Sequence, residues 1–393
     1  MEKYLDKWNG LCQRPMMEKL SKLTFLLALW IELTIVVVEK SEYVIQYEGQ
    51  WFRLTFVLFG ISLLITKHSL REWIGLFFFA ILGLISYKAT GRNEILRFVV
   101  FVWACQGKDM RKVLKGTFWY TLAGCLVIMI LSLFGVYGKV VLVQWYRAGG
   151  IESRYCFGMG HPNAFHCMIF VLTILGMYCY ADYLRWYSYI LLIGLHIVTF
   201  MLTVSRTGFL LAIGTIFLII LLKGIPFLQK WKGSFVLGML LLCVSVMFCV
   251  YCAKYSITSP TLMKLDRFLN GRIWGLHDSS MRHDGMLNTW HLWSDPTNIK
   301  YFDMGMVRIF YWYGIIPGAI YILAQLRLLW AAMKKSDYML LALMISITFY
   351  SLIEAHFVSV YLGRNYILFF FGMYLSDMLP SIGGKYAEST SVV

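Results

Sequence analysis

Four short polar clusters interrupt long apolar stretches of this chain, and their residue types suit the binding of an anion. They are Gly160-His161-Pro162-Asn163, Ser205-Arg206-Thr207-Gly208, Asp303-Met304-Gly305 with Arg308 beyond, and Gly363-Arg364-Asn365. Each stands where a helix is expected to begin. Pro162 suits a first helical turn, where its missing N–H costs nothing, and Ser205 and Asp303 suit the position before one. A helix start offers unpaired N–H groups and the positive end of the dipole, which favour an anion and disfavour a lone arginine. An anion held between the two removes that conflict. Simple capping accounts for Ser205, Pro162 and Asp303 equally well, whereas Arg206 at a tight interhelical turn asks for a further reason.

The elements that must position these clusters are membrane spans. The 393 residues are 59% hydrophobic and 17% aromatic, with a mean hydropathy of +0.66. Apolar stretches recur over 23–38, 52–66, 72–87, 94–105, 116–135, 161–181, 186–204, 206–222, 234–253, 303–329, 338–354 and 361–378. In a bilayer such stretches must be helices, because no water satisfies an open backbone there. The expected fold is an all-α, multi-pass integral membrane protein of about twelve transmembrane helices. The N-terminal tail carries Lys3, Lys7, Arg14, Lys19 and Lys22, while the next break is acidic with Glu39, Glu42 and Glu48. Cytoplasmic short loops collect Lys and Arg, so both termini are expected in the cytoplasm and the chain in the cytoplasmic (inner) membrane. The divisions are then 1–253 (nine spans), 254–302 (a large extracytoplasmic loop), 303–379 (three spans) and a tail, 380–393.

With this orientation the outer side holds six Lys but eleven Arg: 53, 92, 97, 147, 154, 206, 267, 272, 282, 308 and 364. The orientation rule accounts for inner lysines and not for outer arginines. A guanidinium is always charged and fits phosphate bidentately, so an arginine-lined outer cavity points to a phosphate- or carboxylate-bearing ligand. Ion pairs with Glu152, Asp266, Asp278, Asp284 or Glu354 are the structural alternative. The net charge of +15 is spread over both faces without a basic run, which argues for membrane orientation and against nucleic acid. The nine cysteines lie mostly in spans and read as packing. No HExxH or EF-hand pattern is present, so neither a metal nor a cofactor is expected. Ser259-Pro260 reads as a helix start closed at Asn270-Gly271, and a second short helix is expected over 279–293. Together they form a helical lid, on which Trp274, Trp290 and Trp293 could stack on sugar rings.

Several of these residues resemble a known family. Arg154, Gly158 and His161-Pro162-Asn163 look like the "R…G…hPN" segment of Wzy-type O-antigen and capsular polysaccharide polymerases. Ser205-Arg206-Thr207-Gly208 is similar to their "SR(T/S)G" element and Leu269-Asn270-Gly271-Arg272 to "l.GR". Phe302-Asp303-Met304-Gly305, with Tyr313-Gly314-Ile315 beyond, is similar to the "DN.y…G" start of a late span. The resemblance covers roughly 150–320, and Met304 stands where the family commonly has Asn. It implies a metal-independent polymerase taking undecaprenyl-pyrophosphate-linked oligosaccharides at the outer face. A flippase and a chain-length regulator would be its partners, together with membrane lipid. On that reading Arg206 and Arg272 grip the pyrophosphate, supported by Arg154, and the general base is His283, Asp303 or His161. Arg308 and Arg364 are contacts to a second lipid-linked substrate, and His161, Asn163, Arg267, Arg282 and Asn365 complete the binding set. The related O-antigen ligases carry a His-Asn motif that His283-Asp284 and His291 match poorly. A ligase and a lipid-linked oligosaccharide flippase or transporter are the competing functions; Glu32, Arg97 and His196 keep transport in view.

Overall fold

The computed structural model describes residues 2–41, 43–145, 150–256, 258–269, 271–277 and 285–380. In chain order the helices begin with α1 (Glu2–Cys12), α2 (Pro15–Lys40), α3 (Glu48–Leu64), α4 (Leu70–Thr90), α5 (Glu94–Ala104) and α6 (Met110–Leu133). A hairpin of β1 (Val141–Trp145) and β2 (Ile151–Tyr155) follows, antiparallel, with Leu142 opposite Arg154. Next come α7 (Pro162–Cys179), α8 (Trp186–Thr203), α9 (Arg206–Gly224), α10 (Pro226–Lys230), α11 (Lys232–Tyr255) and α12 (Pro260–Phe268). The chain closes with α13 (Gly305–Tyr313), α14 (Ile315–Lys335), α15 (Tyr338–Ile353), α16 (Tyr366–Met373) and α17 (Leu375–Met378).

Eight of these, α2, α4, α6, α7, α8, α9, α11 and α14, are long and apolar enough to cross a membrane. The protein is thus a helical, multi-pass membrane protein by length and composition. Its inside is aromatic: Phe25 of α2 packs on Phe59 of α3, Phe59 on Phe101 of α5, and Phe101 on Phe369 of α16, with ring centroids 5.0–5.5 Å apart. Its outside is apolar as well, with Phe77, Leu191 and Met201 about 70% exposed. That combination is stable only where the surroundings are hydrocarbon. Glu32 and Arg97, buried between helices, are 2.9 Å apart; Thr55 donates to Glu32 at 2.6 Å and Phe52 lies under the guanidinium. The charges flagged as hints of transport thus hold each other.

Sequence signals set several helix ends. Ser69 and Glu72 form a reciprocal capping box at the start of α4. Ser259 caps α12 ahead of Pro260, as its sequence predicts.

Three expectations are corrected. The single span expected over 303–329 is two helices, because Gly314 has φ of 97° and the strand of loop at 291–294 crosses it. Ile315 and Ile316 donate their N–H groups to the carbonyls of His291 and Leu292 at 2.9 and 3.0 Å. A Cβ at Gly314 would stand 2.7 Å from three backbone atoms of Leu292, Trp293 and Ser294. Gly314→Ala is therefore expected to cost about 1–3 kcal/mol from backbone strain alone, with more from the displaced loop. A lower thermal unfolding midpoint in detergent measures it. The span expected over 361–378 is likewise broken, into a 3₁₀ turn at Leu362–Arg364, then α16 and α17. Finally, residues 285–293 hold one 3₁₀ turn, Leu287–Thr289, in place of the second lid helix, flanked by extended Met286 and Trp290. Trp290 is 9% exposed and stacks on Phe310 at 4.9 Å, so it is a packing residue and not a sugar platform.

Candidate functional site

The polar clusters collect at one end of the bundle, where α7, α9, α13 and α16 begin and α2 and α15 finish. Its centre is Arg272. After α12 the chain turns through Gly271, which has φ of 79°, and Asp266 fixes the turn by accepting the N–H of Ile273 at 2.7 Å. Arg272 then reaches two carboxylates: Nη1 donates to Asp303, just ahead of α13, and Nη2 donates to Glu354, one residue past α15, at 2.6 Å. Gly305 makes this convergence possible. A Cβ there would lie 3.0–3.2 Å from backbone atoms of Ser351, Glu354 and Ala355, so only glycine lets the start of α13 touch the end of α15.

Two carboxylates share one guanidinium, so the group carries excess negative charge when both are ionised. The Glu354 side chain is 19% exposed. Its removal from water pushes its carboxyl up to about 7; Arg272 pulls the other way, and Asp303 adds to the rise. A carboxyl poised near neutrality beside a cation can exchange a proton with a substrate hydroxyl.

Arg154 serves a second group. It is fully buried under the hairpin, and its Nε donates to the Thr203 carbonyl at 2.6 Å while Nη2 donates to Asn163 Oδ1 at 2.8 Å. The start of α7 and the end of α8 are thereby locked together. His161 precedes α7 and accepts the Asn163 N–H on Nδ1 at 3.1 Å. Below them a directional chain runs through the bundle. Thr203 Oγ1 gives its hydrogen to the Thr199 carbonyl at 2.7 Å, so His166 Nδ1 must donate to Thr203, 3.2 Å away. His196 Nδ1 then donates to His166 Nε2 at 3.3 Å, and Thr173 donates to His196 Nε2 at 3.1 Å. Both rings are neutral with fixed tautomers on this account, and the chain anchors the residue whose carbonyl holds Arg154.

The remaining predicted residues are dispersed. Arg364 is buried and ion-paired with Glu39 of α2, and Asn365 accepts from the Tyr321 hydroxyl at 3.2 Å. Arg308 is 2% exposed and lies between the rings of Tyr301 and Trp312, at 3.5 and 3.6 Å from their centroids. Arg206, the first residue of α9, and Arg267, in α12, are exposed and form no ion pair among the described residues. Arg282 and His283 lie outside the described residues. The fold thus joins Arg272 to Asp303 and Arg154 to Asn163, and forms no direct contact between Arg206 and Arg272. Glu354, expected only as an ion-pair partner that would account for an outer arginine, does pair with Arg272; what sequence reasoning missed is its place beside Asp303 at the centre of the site, and Glu39 as the partner of Arg364.

Comparison with known protein families, curated proteins and solved structures finds no match for this chain.

Proposed function

We propose that this protein is a polysaccharide polymerase, a glycosyltransferase that moves a growing glycan from undecaprenyl pyrophosphate to a lipid-linked repeat unit. The site would face outward from the cytoplasmic membrane. The observation that carries the reading is the meeting of separate elements of the resemblance. Arg272 of the "GR" element touches Asp303 of the late-span element, 31 residues on, and Arg154 touches Asn163 of the "HPN" element.

The chemistry follows from the geometry. The acceptor hydroxyl attacks the anomeric carbon of the donor, and its proton passes to Glu354. The bond from that carbon to the pyrophosphate oxygen breaks, leaving undecaprenyl pyrophosphate with one more negative charge. When Glu354 takes the proton it becomes a weaker partner for Arg272, whose Nη2 is then available to the leaving group. Proton uptake and leaving-group stabilisation are thus coupled through one guanidinium. Exposed Arg206 and Arg267 supply further positive charge from the same end of the bundle. No nucleotide or ATP is needed, because the sugar arrives activated.

A strain deleted for this gene tests the reading. It is expected to accumulate single repeat units on the lipid carrier at the outer face, and to regain polymer when the gene is returned. Polymer that is still made but stranded on its carrier identifies a ligase instead, and units trapped on the inner face identify a transporter.

A further inference from the structure

α9 runs away from the site end, and at the opposite end, where α2 begins, the short α10 joins it to α11. This link is held from both sides. Gln229 Nε2 donates to the Lys223 carbonyl at 3.0 Å, and Ser234 Oγ lies 2.7 and 3.0 Å from the carbonyls of Trp231 and Leu228. Leu228 packs on the core, so the other side of α10 turns outward. Phe227 and Trp231, one turn apart, are 66% and 47% exposed, and their rings stack with centroids 5.7 Å apart. The Trp231 ring folds back over Gly233, where a Cβ would come within 2.3 Å of it. Two rings held out in water forgo the gain of burial, so this pair needs an apolar neighbour.

The surroundings say what that neighbour is. Apolar side chains are exposed right up to the link, Leu221 and Ile225 before it and Leu237 and Leu240 after it, all 41–56% exposed. In a bilayer hydrocarbon covers them. Lys230 and Lys232 bracket Trp231 and line one open cleft with Phe227. Both are exposed and form no ion pair or hydrogen bond among the described residues. Lys223 is instead turned inward, donating to the carbonyls of Ala181 and Leu184 at 2.6 and 2.9 Å, with Asp182 and Arg185 the charged groups beside it. Trp186 at the start of α8, 73% exposed, marks the level of the head groups at this same end. A stacked aromatic pair at the edge of hydrocarbon, with two idle ammonium groups beside it, suits a lipid that carries net negative charge. An acidic protein would answer the lysines but leave the rings and the apolar flanks uncovered.

We propose that the link between α9 and α11 is a binding site for an anionic phospholipid. Its acyl chains lie along Leu221 and Leu237, its glycerol meets Phe227 and Trp231, and its phosphate meets Lys230 and Lys232. One lipid then joins the end of α9 to the start of α11. The site does not rest on the polymerase reading and lies at the far end of the molecule from Arg272. The test uses the full-length protein in detergent and, as the probe, a phosphatidylglycerol with a diazirine in one acyl chain. On the unaltered protein, crosslinks are expected at Leu221, Phe227 and Leu237. Unlabelled phosphatidylglycerol is expected to compete about tenfold better than phosphatidylcholine, which has the same chains and no net charge. Glycerol phosphate, the head group without the chains, is expected not to compete. Lys230→Gln combined with Lys232→Gln is expected to weaken capture about thirtyfold, at about fivefold for each lysine near an anionic surface. Crosslinks confined to other surfaces, equal competition by phosphatidylcholine, competition by glycerol phosphate, or undiminished capture by the folded double variant overturns the proposal. The first three are read on the unaltered protein, so a misfolded variant leaves the test intact.

Discussion

Arg272→Ala is expected to abolish polymer formation, lowering kcat/KM by about 10²–10³, the usual cost of removing one donor aimed at developing negative charge. The same change leaves Asp303 and Glu354 facing each other without a cation. Breaking a fully buried pair costs about 3–5 kcal/mol. Here Asp303 is 37% exposed and water screens part of that, so about 1–3 kcal/mol is the expected loss of stability. The two effects separate with Arg272→Lys. Lysine keeps the positive charge and much of the stability but cannot span both carboxylates with a planar fork. It is therefore expected to fold near-normally and to make short chains slowly. Polymer ladders at matched expression, read beside thermal midpoints, measure both. Normal long chains from Arg272→Ala would remove Arg272 from the chemistry.

Glu354→Gln carries the second large effect, and its signature is a pH profile. Burial raises the Glu354 carboxyl to about 7, so its base form appears as pH rises through that value. Activity limited by proton uptake at Glu354 should therefore climb from pH 6 to pH 8 and level above. Glutamine keeps the oxygen that accepts from Arg272 but cannot take a proton. The variant is expected to lose about 10²-fold or more at pH 8, within the range typical of a general base, and to lose the climb. Because the wild-type enzyme is itself largely protonated at pH 6, the gap between the two narrows there. An unchanged limb near pH 7 in Glu354→Gln would assign the base elsewhere, with Asp303 and His283 next in line.

The legible parts of this molecule were those set by local physics. Length and apolarity made helices such as α2 and α11 unavoidable, and Ser205-Arg206 marked the start of α9 and Ser259-Pro260 that of α12 to the residue. The unread parts depend on what lies far away in the chain. Gly314 and Pro317-Gly318 mark a weak point in the run 303–329, but nothing in that run reveals that a distant loop at 291–294 crosses Gly314 and breaks the helix there. The hairpin of β1 and β2 is short, and its importance comes only from burying Arg154 against the end of α8. Charge counting put an excess of arginine at one end of the bundle, but not its distribution. Arg364 meets Glu39 across 325 residues, and Arg97 meets Glu32 across 65. The expected arginine-lined cavity is instead a set of separate arginines: Arg272 holds two acids, Arg364 and Arg97 one each, and Arg206, Arg267 and Arg308 pair with no acid among the described residues.

The most direct measurement is reconstitution of the purified protein in bilayers with one synthetic repeat unit on undecaprenyl pyrophosphate and no other enzyme. The account predicts a ladder of products differing by one repeat, with one undecaprenyl pyrophosphate released per bond formed, and no ladder from Arg272→Ala. Translocation of the intact unit across the bilayer without bond formation would contradict it.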